Sequence, residues 1–226
     1  MPTYSIREHA KNKSSDKSKT GLLICFFIAL ILFCLTAYIA HKHQLTGLQA
    51  RLFYDVDNLN LPSGFTTAAR WITEGLGAGY PIAVCVLVPL FFKNYRLAWR
   101  FLVTVVGAVA VGLVIKYVVK EPRPITMLAG HLRQRVVETG PGFPSGHEEV
   151  ATALALTLWF ILPPRWRWLS ILWMVVLAFS RLYLGVHTPA DIIGGFSIGL
   201  LAVCVVRLLP DSIAKPLRLD EIEHKA

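Results

Sequence analysis

Charge is scarce in this sequence. Asp, Glu, Lys and Arg make up only 16% of the 226 residues, hydrophobic residues make up 54%, and the mean hydropathy is +0.53. An average soluble domain carries about 25% charged residues. The few charges cluster between long apolar runs instead of interleaving with them at helical spacing, so most helices have no water-facing side. This excludes an ordinary soluble domain and indicates an integral membrane protein. Cysteine is also sparse: Cys25, Cys34, Cys85 and Cys204 lie far apart inside apolar runs with no CxxC spacing. They read as small hydrophobes, not as a disulfide frame or a zinc site. His41 and His43 lack a spaced acidic or thiol partner, so no metal site is expected there. No internal repeat, low-complexity tract or linker divides the chain.

The net charge of +9 does not indicate nucleic acid. Basic residues fall in the N-terminal tail, in short connections and in one central loop, where membrane topology accounts for them. Residues 1–20 form a polar tail with Arg7, Lys11, Lys13, Lys17 and Lys19, and Gly21 to Ala40 then run without a charge. That length spans a hydrocarbon core and exceeds the apolar region of a signal peptide, so a retained first helix is expected. Later spans are expected at about 76–92, 98–118, 148–162, 168–186 and 190–209. Leu52, Phe53, Val56 and Leu59 have helical spacing with Asp55 and Asp57 between them, which predicts an interfacial helix within 41–75. The expected fold is all-α: a polytopic membrane protein of six transmembrane helices with an interfacial helix between the first two. It divides into a basic cytoplasmic tail (1–20), a six-helix membrane domain (21–209) and a second cytoplasmic tail (210–226).

With six spans, the N-terminal tail, Lys93 to Arg96 with Arg100, and Arg165 with Arg167 share one side, which should be cytoplasmic. Trp71, Trp99, Trp166 and Trp168 near span ends read as interfacial anchors. Three polar groups then meet on the opposite face: Lys116 with Arg123-Pro124, Pro144-Ser145-Gly146-His147, and Ser180-Arg181 with His187 and Asp191. Lys116, Arg123 and Arg181 supply cations. The Gly146 region at a helix start supplies backbone N–H donors beside the Ser145 hydroxyl. Such a cluster binds an anion, and phosphate fits it. Charge stabilisation of a phosphoryl transition state is a use that justifies cations near a bilayer. Of two histidines, one attacks phosphorus as neutral imidazole and the other protonates the departing oxygen. Asp191 follows His187 by four residues, about one turn if a helix opens there, and can hold its Nδ1–H so that Nε2 faces the substrate. His147 is then the acid.

Lys116-x6-Arg123-Pro124, Pro144-Ser145-Gly146-His147 and Ser180-Arg181-x5-His187-x3-Asp191 together resemble the three-part signature of the type 2 phosphatidic acid phosphatase superfamily, matched at every signature position. The resemblance implies that His187 forms a phosphohistidine, that Asp191 orients it, and that His147 protonates the leaving group. It further implies that Lys116, Arg123, Ser145, Gly146 and Arg181 hold the phosphate oxygens, with no metal and no other cofactor. The implied partners are a membrane lipid substrate and the bilayer. Nothing in the sequence specifies an oligomeric state. Glu148 and Glu149 follow His147 where smaller or neutral residues are usual; carboxylates in a first helical turn also simply suit the helix dipole. Lys120, Glu121, His131, Arg133 and Arg135 are either solvated or meet a second phosphate or a sugar.

The leading expectation is a bacterial inner-membrane lipid phosphatase open to the outer face, with undecaprenyl diphosphate as its first substrate. Phosphatidylglycerophosphate, phosphatidic acid and lipid A are alternatives. A phosphotransferase passing phosphate to an acceptor such as lipid A keeps the same chemistry. A non-catalytic lipid-phosphate transporter or binding protein would use the same cationic pocket to hold a phosphate head group; translocation would need a polar route across the helices, whereas the polar residues gather at one end. A vanadate haloperoxidase is the most distant reading.

Overall fold

The computed structural model describes residues 3–209 apart from 46, 78, 129–131 and 134. The tail expected over 210–226, the basic side chains of 1–17 and His131 lie outside the described residues. The described chain forms helices α1 (Thr3–His41), α2 (Gly47–Asp57), α3 (Ser63–Leu76), α4 (Gly79–Phe91), α5 (Tyr95–Val119), α6 (Pro124–Met127), α7 (Gly146–Trp159), α8 (Arg167–Tyr183) and α9 (Pro189–Leu208), with no strand among the described residues. The all-α expectation therefore holds.

Four stretches are long and apolar enough to cross a bilayer: Ser18–His41, Ser63–Phe91, Tyr95–Met127 and Pro189–Leu208. Their surfaces are apolar, as at Ile24, Phe27, Ile31, Val84, Leu87, Leu113 and Val114, which is the pattern of helices solvated by lipid. Two of the six expected spans are shorter helices. At 14 and 17 residues, α7 and α8 fall below the roughly 20 that a perpendicular crossing needs. Pro163 and Pro164 follow closely behind α7, and Gly185 at φ 73° lies just beyond α8. The segment 41–75 contains two helices where one was expected. α3 joins the apolar stretch that continues through α4, so that stretch begins at Ser63 and not at 76.

What positions the site is the pairing of α7 with α9. Gly195 and Gly199 lie one turn apart on α9 and face the α7 backbone. A Cβ on Gly199 would stand 2.6 Å from the Glu149 carbonyl oxygen and 3.0 Å from Ala153 N; one on Gly195 would lie 3.1 Å from Glu149 N. Small residues at this spacing let membrane helices approach backbone to backbone. The contact draws the start of α7 against the start of α9, where Ser145 N donates to the Asp191 carbonyl at 3.0 Å. Phe101, Val105 and Ala108 of α5 close the core over Val150, Ala153 and Leu154 of α7 and Ile198 of α9. α1 lies along α9, and α3 lies on α8. There Thr73 Oγ1 and Ser180 Oγ are 2.9 Å apart and Trp173 Nε1 donates to the Leu76 carbonyl at 3.0 Å.

Gly199→Ala is expected to destabilise the bundle by about 1–3 kcal/mol through overpacking. The atoms it meets are mostly backbone and cannot rotate away. This outweighs the gain of up to ~1 kcal/mol that alanine brings to a helix interior. A lowered melting temperature in detergent checks it; an unchanged one would mean that the two helices separate at little cost.

Candidate active site

Four helix ends converge at one end of the bundle. Lys116 is in the last turn of α5, Ser145 to His147 open α7, Arg181 is in the last turn of α8, and Asp191 is in the first turn of α9. Arg123 immediately precedes α6, and His187 lies between α8 and α9. Backbone carbonyls tie the cations in: Lys116 Nζ donates to Pro141 and Gly142 oxygens at 3.2 and 3.4 Å, and Arg123 Nη1 to Val186 O at 3.0 Å. All eight residues singled out in the sequence are thus brought to this end. The other end carries Arg100, Arg165, Arg167 and Arg207.

α9 does not begin at His187. Pro189 takes its first position and Thr188 caps it through a capping box, with Thr188 Oγ1 accepting from Asp191 N at 3.2 Å and Asp191 Oδ2 accepting from Thr188 N at 2.8 Å. The same Oδ2 lies 3.3 Å from His187 Nδ1. The contact expected from helical spacing is therefore made by capping geometry, with His187 just outside the helix. His187 is 1% exposed and Asp191 0%. An ionised carboxylate only accepts, so Nδ1 carries the proton and Nε2 keeps its lone pair. Burial pushes the His187 pKa down to about 4, with Asp191 opposing and Arg181 adding to the fall, so the ring is neutral at physiological pH.

Around this pair lie donors that no group among the described residues receives. Ser145 occupies the N-cap of α7 without using its hydroxyl as a cap, and its Oγ is buried and unpartnered; so are Arg123 Nε and Arg181 Nε and Nη1. A buried polar group left unpaired costs about 1–3 kcal/mol. A cluster of such donors is explained by a polyanionic ligand that completes them. Among the described residues no group of His, Cys, Asp and Glu is arranged to hold a metal ion.

His147 packs on Gly77, at the end of α3. A Cβ there would stand 3.1 Å from His147 Nε2 and closer still to Cδ2. Gly77 thus seats the candidate acid, a role that neighbours in sequence do not reveal. Glu148 and Glu149 sit in the first turn of α7, but both are buried. The Glu149 carboxylate fills the space left by Gly112 of α5, within electrostatic reach of Lys116.

Glu121 is neither solvated nor a sugar contact as the sequence suggested, being 2% exposed, and Glu138 escaped sequence reasoning altogether. Glu121, inside the first motif, is buried and lies within electrostatic reach of Asp191. Its place between Lys116 and Arg123 was the available signal. Glu138 lies on the long loop before α7 and grips both arginines. Arg181 Nη2 meets its Oε1 at 2.6 Å and its Oε2 at 2.7 Å, and Arg123 Nη1 meets Oε2 at 2.9 Å. Burial raises its pKa, but Arg181, by charge and hydrogen bond, and then Arg123 outweigh this and hold it below the usual carboxylate range. Arg135 is committed elsewhere: its Nη1 reaches Asp57 Oδ1 at 2.9 Å and Tyr183 O at 2.6 Å, and the guanidinium lies over the Tyr183 ring. Arg133 Nη1 donates to Asn60 Oδ1 at 2.7 Å. Asp57 is accordingly buried, not lying on a polar face of α2.

A bundle whose four helix ends bring two histidines, a buried aspartate and three cations together is the architecture of a membrane acid-phosphatase fold. The chain belongs to the PAP2 superfamily, whose model matches residues 97–213. It is 32% identical over 119 residues to an undecaprenyl-diphosphatase of Sulfolobus acidocaldarius, covering 52% of this chain and 57% of that protein. It is 39% identical over 92 residues to phosphatidylglycerophosphatase B of Escherichia coli K12, covering 39% and 36%. The matches thus span about half or less of these relatives' lengths. In fold it is similar to the crystal structure of a PAP2-type phosphatidylglycerolphosphate phosphatase from Bacillus subtilis, with a TM-score of 0.67 at 24% identity over 85% of this chain and 98% of that one.

Proposed function

We propose that this chain is a membrane lipid phosphatase that hydrolyses a lipid phosphate or diphosphate, undecaprenyl diphosphate first among them, through a phosphohistidine on His187. The observation that carries this is the buried His187–Asp191 pair set among unpartnered donors of Arg123, Arg181 and Ser145. Nε2 of His187 attacks phosphorus, the P–N bond forms as the P–O bond to the lipid breaks, and the departing oxygen takes the proton of His147. Neutral His147 then removes a proton from water, whose oxygen attacks phosphorus; the P–N bond breaks, its electron pair returns to Nε2, and inorganic phosphate leaves. Lys116, Arg123, Arg181, Ser145 and the backbone N–H groups from Gly146 onward stabilise the charge on the equatorial oxygens. With three cations there, no metal is required.

In the same proposal the chain is one membrane domain with six spans, α7 and α8 being the two short ones. α2 lies at the interface, and both termini are cytoplasmic in a bacterial inner membrane. Arginines at the end opposite the site support an outward-facing active site by the positive-inside rule.

The test is phosphate release by purified protein in detergent with chelator, from undecaprenyl diphosphate, phosphatidylglycerophosphate, phosphatidic acid and lipid A, with and without an acceptor lipid. Release from at least one lipid is expected, and its rate ranks the substrates. Folded protein that releases phosphate from none would overturn hydrolysis, and phosphate appearing only on the acceptor would establish a transferase.

A further inference from the structure

Glu138 stands where the substrate's phosphate should bind. Its two oxygens take Arg181 Nη2 and Arg123 Nη1, one donor from each guanidinium group, at 2.6–2.9 Å. Arg181 is fully buried, whereas the Glu138 side chain is 25% exposed. One side of the carboxylate therefore faces an anion pocket and the other has water to turn towards.

From this geometry we infer that Glu138 is a specificity-determining residue, an internal competitor that closes the anion pocket to phosphodiester headgroups and yields to a terminal phosphate. The inference rests on the pocket being the phosphate site, as proposed above. The physical reason is a comparison of charge and valence. A phosphodiester brings a single negative charge, as the carboxylate does, while Glu138 is tethered and acts at the high effective concentration of an intramolecular ligand. An exchange of equal charges against a tethered group is unfavourable, even in a bilayer rich in diester lipids. A terminal phosphate brings about −1.5 to −2 and three acceptor oxygens. Those oxygens also serve the donors that Glu138 leaves unpaired: Arg123 Nε, Arg181 Nε and Nη1, and Ser145 Oγ. Only such a ligand gains more than it displaces.

The experiment compares wild type with Glu138→Gln, which keeps shape and removes the charge, and with Glu138→Asp, which keeps the charge on a shorter arm. Hydrolysis of phosphatidic acid in neutral detergent micelles is measured against added phosphatidylglycerol, a diester, and inorganic phosphate binding is measured by calorimetry. In Glu138→Gln the diester is expected to inhibit about tenfold more strongly, and inorganic phosphate to bind about tenfold more tightly, with KM falling alongside. Glu138→Asp should lie between Gln and wild type, and it carries the comparison alone if melting shows Gln to be unfolded. Diester inhibition and phosphate binding unchanged within about twofold, or phosphate binding weakened, would overturn the inference. A wild type that hydrolyses no lipid fails the phosphatase proposal instead, and phosphate binding still reads the pocket in that case.

Discussion

Exchange of His187 for alanine is expected to bring phosphate release to background, a loss of about 10^4-fold or more as for the removal of other nucleophiles. The fold should survive, because among the described residues the imidazole contributes one hydrogen bond, to an Asp191 oxygen that also receives Thr188 N at 2.8 Å. Equal melting temperatures with activity lost would assign the residue to chemistry. Acid-labile label on wild-type protein quenched during turnover, absent from His187→Ala, would identify the P–N bond. Residual turnover within about tenfold of wild type would exclude the covalent route. The pH dependence follows from the same burial. Since the native pKa is depressed to about 4, the nucleophile stays neutral through pH 5–8, and its loss to protonation belongs near pH 4. The linkage has the matching sign. The unfolded ring, titrating near 6.5, binds more protons than the native one between about pH 4 and 6.5, so this group's contribution to stability is complete above that window and is lost as pH falls through it.

Much of this arrangement is legible in the sequence because lipid simplifies the solvent. A stretch such as Gly21 to Ala40, free of charge, has few fates besides a membrane helix, and the apolar span Ser18–His41 and helices α5 and α9 run close to the expected boundaries, although α1 itself begins at Thr3, inside the stretch expected as a tail. The same contrast exposes the site, since Lys116, Arg181, His187 and Asp191 break apolar runs at a cost that requires a reason. Where a helix lacks length, the reading weakens: α7 and α8 are recognisable but stop short, and α3 merges with an apolar stretch that Glu74 and its neighbours obscure. What the sequence conceals is pairing across the fold. Asp57 and Arg135, 78 positions apart, look like two solvated charges until α2 and the loop before α7 are juxtaposed. Glu138 is likewise one acidic residue in a basic loop, and only the tertiary approach of Arg123 and Arg181 gives it a place. Gly77 acquires meaning only when His147 lies on it.

Arg181 is the residue where charge, burial and specificity meet, and its replacement should separate them. Arg181→Ala removes the fully buried cation of the anion pocket, and kcat/KM is expected to fall by about 10^3-fold or more, the scale on which arginine stabilises phosphoryl transfer. Arg181→Lys keeps a positive charge but loses the planar fork. With Nη2 on Glu138 and with Nε and Nη1 left for a ligand, that fork is what the pocket uses, so lysine should recover only part of the loss. Stability should respond differently. Removing one partner of a buried ion pair commonly costs 3–5 kcal/mol because the other is stranded. Here the stranded partner would be Glu138, whose side chain has water beside it and retains Arg123 at 2.9 Å. The desolvation cost of Arg181 is also relieved, and melting temperatures of the Ala and Lys variants should lie close to that of wild type. Activity that survives Arg181→Ala within about tenfold would show that the guanidinium is structural. Activity lost together with the fold would show that the cluster is held by its ion pairs. Loss of turnover in a stably folded protein is the outcome that a transition-state clamp requires.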